Sequence, residues 1–100
     1  MDRNRVVLVG TLIERQPLRH TPAGVAAIDA RIGHASEQVE AGEARKVSLE
    51  LDAVALGEAA ERLSRAEPGR SYRFEGFLAQ RSRMSRQLVL HLNRFELSEE

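Results

Sequence analysis

This sequence predicts an all-β domain, a small five-stranded barrel with one helix between its third and fourth strands. Three observations lead there. Five segments carry the strand signature, either two-residue alternation or a β-branched apolar run. A single segment, Gly57 to Ala66, changes to helical spacing and lies between the third and fourth of them. The total length of 100 residues suits one modest core, so residues 1–100 are read as a single domain.

The first strand runs over residues 5–14 and is apolar on both alternating sets, with Val6, Leu8 and Leu12 on one and Val7, Val9 and Ile13 on the other. Such a strand wants cover on both faces. Gly10 stands in its middle, where a missing side chain commonly marks a bend or bulge. Pro17, Pro22 and Gly24 make the next segment a turn-rich connection, and residues 25–34 follow as a half-buried strand with Ile28, Ala30 and Ile32 against Asp29 and Arg31. The polar stretch ASEQVEAGEAR reads as a loop or an extended hairpin tip. After it, Val47, Leu49, Leu51 and Ala53 alternate with Ser48, Glu50 and Asp52, a strand with one wet face.

In the helical segment Leu56, Ala59, Ala60 and Leu63 share a face, with Glu58 and Glu61 early and Arg62 and Arg65 late, as the helix dipole favours. Glu58 with Arg62 and Glu61 with Arg65 are spaced for i,i+4 pairs. Glu67-Pro68-Gly69-Arg70 then fits a type II turn, Pro presetting φ and Gly free to take a positive one. Tyr72, Phe74, Gly76 and Leu78 form one face of a fourth strand. The fifth has Leu88, Leu90 and Leu92 on one face and then changes parity to Phe95 and Leu97, which predicts a bulge near Asn93 or Arg94. Tyr72, Phe74 and Phe95 are read as core. Phe77 has the opposite parity: it either faces outward, where it could stack on a base, or is returned to the core by a bulge at Gly76, which is the expectation here.

Five short strands with a helix between the third and fourth is the arrangement of the oligonucleotide/oligosaccharide-binding (OB) barrel, whose second and third strands and two flanking loops commonly touch nucleic acid. The same pattern describes a five-stranded sheet with a helix packed on one face.

The formal charge is zero, so the net positive charge usual in a nucleic-acid binder is missing from the total. It is segregated instead. Residues 36–67 hold eight carboxylates against four basic residues, whereas residues 70–94 hold six arginines against Glu75 alone. No cysteine is present, which excludes disulfides, a thiolate nucleophile and Cys-based zinc. No signal peptide is evident, and no run approaches the roughly 20 apolar residues of a membrane span, so the expectation is a soluble, cytoplasmic protein. There is no Gly-rich phosphate loop and no nucleophile elbow, and His20, His34 and His91 lack metal-ligand spacing. Neither catalysis, a metal nor a cofactor is expected.

The connection LAQRSRMSRQLVL joins the fourth and fifth strands with Arg81, Arg83 and Arg86 and none of the usual turn formers. Guanidinium groups bind phosphate oxygens in bidentate fashion at any relevant pH, so one reading is a phosphate clamp at the barrel mouth. The other is a solvated loop in a chain whose basic residues are almost all arginine.

The stretches NRVVLVGTLIERQPLRHTPAGVAAIDARIGHAS, VEAG, PGRSYRFEGFLAQ and LVLHLNRFEL resemble the primosomal replication protein N (PriB) family, relatives of bacterial single-stranded DNA-binding proteins, over nearly the whole chain. The resemblance implies a homodimeric barrel that binds single-stranded DNA in replication restart, stimulating or bridging the PriA helicase and working with a DnaT-like primosome protein. It implies a dimer made by pairing first strands, with Val7 and Val9 in the interface; cover supplied within one chain is the alternative. It also implies DNA contact through Arg81, Arg83 and Arg86, with Arg45 and Lys46 at the third strand and Arg19 and His20 in the first connection as further candidates. Arg31 and Arg73 are read as solvated charges. Where relatives carry rings, GEARKVSLE offers Glu43 and Ser48, so weaker and more salt-sensitive binding is expected. The competing function is an OB-fold protein-interaction adaptor with weak or no DNA binding, in which Glu37, Glu40 and Glu43 form part of a partner surface.

Overall fold

A computed structural model describes residues 2–98. The strands are β1 (Val6–Arg15), β2 (Arg19–His20), β3 (Ala26–Glu40), β4 (Glu43–Leu56), β5 (Ser71–Gln80) and β6 (Leu88–Leu97), with one helix, α1 (Glu58–Leu63), between β4 and β5. The five strands expected from the sequence are β1, β3, β4, β5 and β6. The short β2 is an addition: Arg19 and His20 pair with Ala27 and Ala26 of β3 across a turn closed by Thr21.

The sheet closes on itself. β1 pairs with β5 through Val6–Thr11 and with β3 through Thr11–Arg15, β5 pairs with β6, β6 runs parallel to β4, and β4 pairs with β3. Changing partner midway demands a bend in β1, and Gly10 permits it: a Cβ there would lie 2.3 Å from the Gly33 carbonyl oxygen. The flat five-stranded sheet is therefore excluded, and the OB barrel stands.

Inward residues fill the barrel as the alternation predicts. Leu12, Ile28, Ile32, Leu63, Phe74 and Leu90 are fully buried, with Ala30, Ala53 and Ala55 between them where strands face closely. The rings of Tyr72, Phe74 and Phe95 cluster with centroids 5.7–6.4 Å apart. The Tyr72 hydroxyl donates to the Glu67 carbonyl at 3.0 Å and accepts from the Glu67 amide at 2.9 Å, so its polar end is satisfied. Asn93 is the extra residue that switches the parity of β6: Glu75 pairs with Arg94 and Gly76 with Leu92, leaving Asn93 unmatched.

Because that bulge lies on β6 and not on β5, β5 keeps its alternation and Phe77 stays on the outward face, 36% exposed. The expectation of a core Phe77 is corrected accordingly. The helix is also shorter than its spacing suggested. Gly57, at φ 65°, starts it, with its amide bonded to the Ala26 carbonyl, and Ala60 and Leu63 plug the barrel. The chain then tightens: the Arg65 amide bonds back only three residues, to Arg62, and the Ser64 hydroxyl donates to the Glu61 carbonyl at 2.6 Å. The expected i,i+4 ion pairs are not among those of the described residues. Arg62 turns instead to Phe95, its guanidinium 5.3 Å from the ring centroid and 3.4 Å from the backbone carbonyl.

The stretch read as a loop or hairpin tip resolves as the tip of a long arm. β3 and β4 pair without interruption from Ala27–Leu56 to Glu40–Glu43, and Ala41 and Gly42 close the end with φ of 53° and 80°. Two positive φ values mark a type I′ turn, here with alanine where Asn or Gly is usual. Beyond residue 34, β3 pairs only with β4, so the arm projects from the barrel as two strands.

Candidate nucleic-acid interface

The outer faces of β3, β4 and β6, with β2 and the β5–β6 loop at their ends, enclose an open groove of about 330 Å³. Its position follows from strand parity. Ile28, Ala30 and Ile32 point inward, so Asp29 and Arg31 point out; Leu51 and Ala53 point inward, so Asp52 and Val54 point out; Leu90 points inward, so Val89 and His91 point out. Arg19 from β2 closes one side and Arg81 from the loop closes another, with Arg31 lining the groove with them.

Each of these arginines lies against a carboxylate. Arg19 is bidentate to Asp29 at 3.0 and 3.3 Å, and that hydrogen-bonded contact raises its already high pKa. Arg31 reaches Glu50 and Asp52, both at 3.4 Å. Arg81 donates to Asp52 at 2.8 Å, and the Gln87 side-chain amide donates to the same oxygen at 2.8 Å. Asp52, 23% exposed, thus holds one wall arginine and both ends of the basic loop. Exposed pairs of this kind contribute about 0.2–1 kcal/mol each, small enough for an incoming phosphate to replace the carboxylate.

The loop needs no glycine or proline because its serines build the turn. The Arg81 amide bonds the Gln87 carbonyl at 2.9 Å, the Ser85 amide bonds the Ser82 carbonyl at 3.2 Å, and the Ser85 hydroxyl accepts from the Gln87 amide at 3.0 Å. Arg83 and Arg86 are exposed on it and have no ion pair among the described residues. One basic loop therefore carries one arginine tied to the groove wall and two held out in solvent.

Beside the groove, Phe77 and His91 stack face to face, centroids 4.9 Å apart and planes 9° from parallel. The pair follows from their positions opposite each other on β5 and β6. It places an aromatic plate next to guanidinium groups, the two components that single-strand binding combines.

The other candidates are spread more widely. His20 follows Arg19 in β2, so its side chain leaves on the opposite face. Lys46 shares the outward parity of Glu50 and Asp52 but lies far along the arm, opposite Glu37, whereas the adjacent Arg45 has the other parity and pairs with Glu40. Glu37, Glu40 and Glu43 are exposed on the same arm. Val7 is 42% exposed and Val9 half-buried on the side of β1 away from the core, and the Val9 carbonyl accepts from His34 Nδ1 at 2.7 Å. Reasoning from the sequence read Arg31 as a solvated charge, weighed Phe77 as a base-stacking ring but favoured the core, and gave His91 no binding role. Their outward parity was the available signal, since it sets Arg31 on the second-strand face that barrels of this order use for binding. Among the described residues no cluster of His, Asp or Glu could hold a metal ion, and no helix is long and apolar enough to cross a membrane.

Residues 4–94 match a model described as another single-strand binding protein family. The replication restart protein PriB of Nitrosomonas europaea is 38% identical over 92 residues, 92% of this chain and 85% of that protein. That of Bordetella pertussis is 40% identical over 89 residues, covering 89% and 83%. Among solved structures, PriB from Ralstonia solanacearum superposes with a TM-score of 0.87 at 36% identity, covering 96% of this chain and 98% of its own. The single-stranded DNA binding protein from Thermus aquaticus superposes with a TM-score of 0.75 at 27% identity, over 97% of this chain and 50% of its own.

Proposed function

The chain belongs to the PriB family of single-strand binding proteins, and from that premise we propose that it is a single-stranded DNA-binding accessory protein of the replication-restart primosome, acting in the cytoplasm without catalysis of its own. The observation that carries this reading is the convergence of Arg19, Arg31 and Arg81 on one groove beside the exposed Phe77–His91 stack. A phosphodiester backbone fits the arginines and a base fits the plate. Arg83 and Arg86 extend the clamp from the loop, with Arg45, Lys46 and His20 as outlying contacts. Bound to DNA, the protein stimulates or bridges the PriA helicase and meets a DnaT-like partner. It works as a homodimer in which the edge of β1 at Val7 and Val9 pairs with a second copy, a reading supported by the 42% exposure of Val7.

Fluorescence anisotropy of labelled oligo-dT at several salt concentrations tests the proposal. Micromolar or tighter binding that weakens steeply with salt is the expected result. No binding at low salt would sink it. The alternative, an adaptor that docks a helicase with little DNA contact, draws on the neutralised wall, where every groove arginine already has a carboxylate partner. A helicase pull-down that persists at salt concentrations that abolish DNA binding favours it.

Asp52 supplies a sharper handle. Because phosphate must displace it from Arg31 and Arg81, Asp52→Asn should raise oligo-dT affinity about fivefold, the equivalent of about 1 kcal/mol. Unchanged or weaker affinity in a folded variant would show that phosphates do not compete for those two arginines.

A further inference from the structure

The outward face of β5 and β6 continues past the aromatic plate. Moving along β5 from Phe77 toward its start come Glu75 and Arg73; on β6, opposite them, stand Arg94 and Glu96. Arg73 and Arg94 line one depression together with Arg62, which stands on α1 with its guanidinium fixed over Phe95. Arg62 and Arg65 also line a neighbouring depression, with Arg70 and its partner Glu67, so basic residues continue to the helix end of the barrel.

Carboxylates weaken this strip less than they do the groove. Glu75 is already claimed by Arg5, which donates to it at 3.0 and 3.3 Å and, by that hydrogen bond first, holds its carboxyl below the usual range. Arg73 approaches Glu75 and Glu96 only at 3.6 and 3.9 Å, distances at which its donors remain free for other acceptors. Arg62, Arg65 and Arg94 have no ion pair among the described residues.

We propose that a single strand leaving the groove crosses the Phe77–His91 plate and continues along Arg94 and Arg73 to Arg62, a second phosphate-binding segment on the outer face of β5 and β6. The proposal rests on the DNA-binding reading of the groove. Continuity decides in favour of nucleic acid over an acidic protein segment. The plate borders groove and strip alike, and outward residues two apart on a strand are about 7 Å apart, so Phe77 to Arg73 spans about 13 Å without a gap. Arg94 opposite Glu75 and Arg73 two residues further along β5 set two guanidinium groups one such step apart along the strands, a spacing that suits a repeating anion.

The experiment compares oligo-dT of about 6 and about 16 nucleotides, within the range that one such barrel covers. Wild type, the Arg73→Ala/Arg94→Ala variant and its Arg73→Lys/Arg94→Lys counterpart are titrated at several salt concentrations. The wild-type slope should be steeper for the longer strand. The alanine variant should bind the shorter strand as wild type does and lose about 1.4 from the log–log slope on the longer one. Across a fourfold change in salt that is about sevenfold in relative affinity. The lysine variant should retain most of the slope. Equal slopes for both lengths in wild type would overturn the second segment while leaving the groove intact. An alanine variant that holds the longer strand normally yet no longer binds a poly-glutamate peptide would reassign the strip to protein contact. Failure of wild type to bind either strand would remove the groove and the strip together.

Discussion

Replacing Arg81, Arg83 and Arg86 together with alanine should leave a folded protein whose oligo-dT affinity depends on salt with a log–log slope smaller by about 1.4 to 2.1. Each phosphate neutralised on a single strand contributes about 0.7 to that slope, because neutralisation releases condensed counterions. The three arginines are not equivalent. Arg83 and Arg86 stand free in solvent and should each contribute the full amount when removed singly. Arg81 already has Asp52 at 2.8 Å, so its transfer to phosphate exchanges one anion for another and should change the slope little while still lowering affinity. Over a fourfold rise in salt, the triple variant should lose about 7- to 18-fold less affinity than wild type. Three single variants with identical slopes would contradict the Asp52 contact, and an unchanged triple variant would leave the loop as solvated surface.

The largest stability effect should come from Gly76→Ala. A Cβ at that position would sit 1.8 Å from the His91 carbonyl oxygen, 2.8 Å from its carbon and 3.1 Å from Leu92 Cα. All three atoms are backbone, so no rotamer change relieves the clash. They belong to the bulged pairing of β5 with β6 that also carries the aromatic plate. Overpacking typically costs about 1–3 kcal/mol, and a backbone clash this close belongs at or above the upper end. For a domain of this size about 3 kcal/mol lowers Tm by about 12–24 °C in a calorimetric scan. Gly24→Ala is the control: unlike Gly76, that glycine has a positive φ, 83°, but a Cβ there meets nothing within 4 Å. It should cost only the backbone strain, about 1–2 kcal/mol. Equal losses in the two variants would mean that strand approach at Gly76 is not what limits the site.

Parity was legible in the sequence because burial on one face leaves a period of two. Leu88, Leu90 and Leu92 followed by Phe95 and Leu97 located the bulge to within a residue, and Pro68-Gly69 marked the turn that returns the chain from α1, where Gly69 has φ 88°. Contacts between distant strands were not legible. Asp52 meets Arg81 and Gln87 only because β4 and β6 run side by side, and those partners lie 29 and 35 residues away. Arg31 illustrates the same limit: alternation fixes it as outward, but only closure of the barrel turns that outward face into the floor of a groove. Phe77 depended on which strand carried the extra residue, and alternation in β6 alone does not decide where the partner strand absorbs it.

The arm formed by β3 and β4 beyond the barrel has a thermodynamic consequence of its own. Its amides are protected by a single partner strand, Val39 at its end is 78% exposed, and Glu40 faces Glu43 across the closing turn. An isolated two-stranded ribbon is marginal in water. Amide exchange there reports local fraying, while exchange around Phe74 reports opening of the whole barrel. Any molecule gripping Arg45 or Lys46 must therefore first quench that fraying, and part of its contact energy is consumed in ordering the ribbon. The arm is a soft appendage on a rigid body, and affinity gained there is set as much by lost motion as by charge.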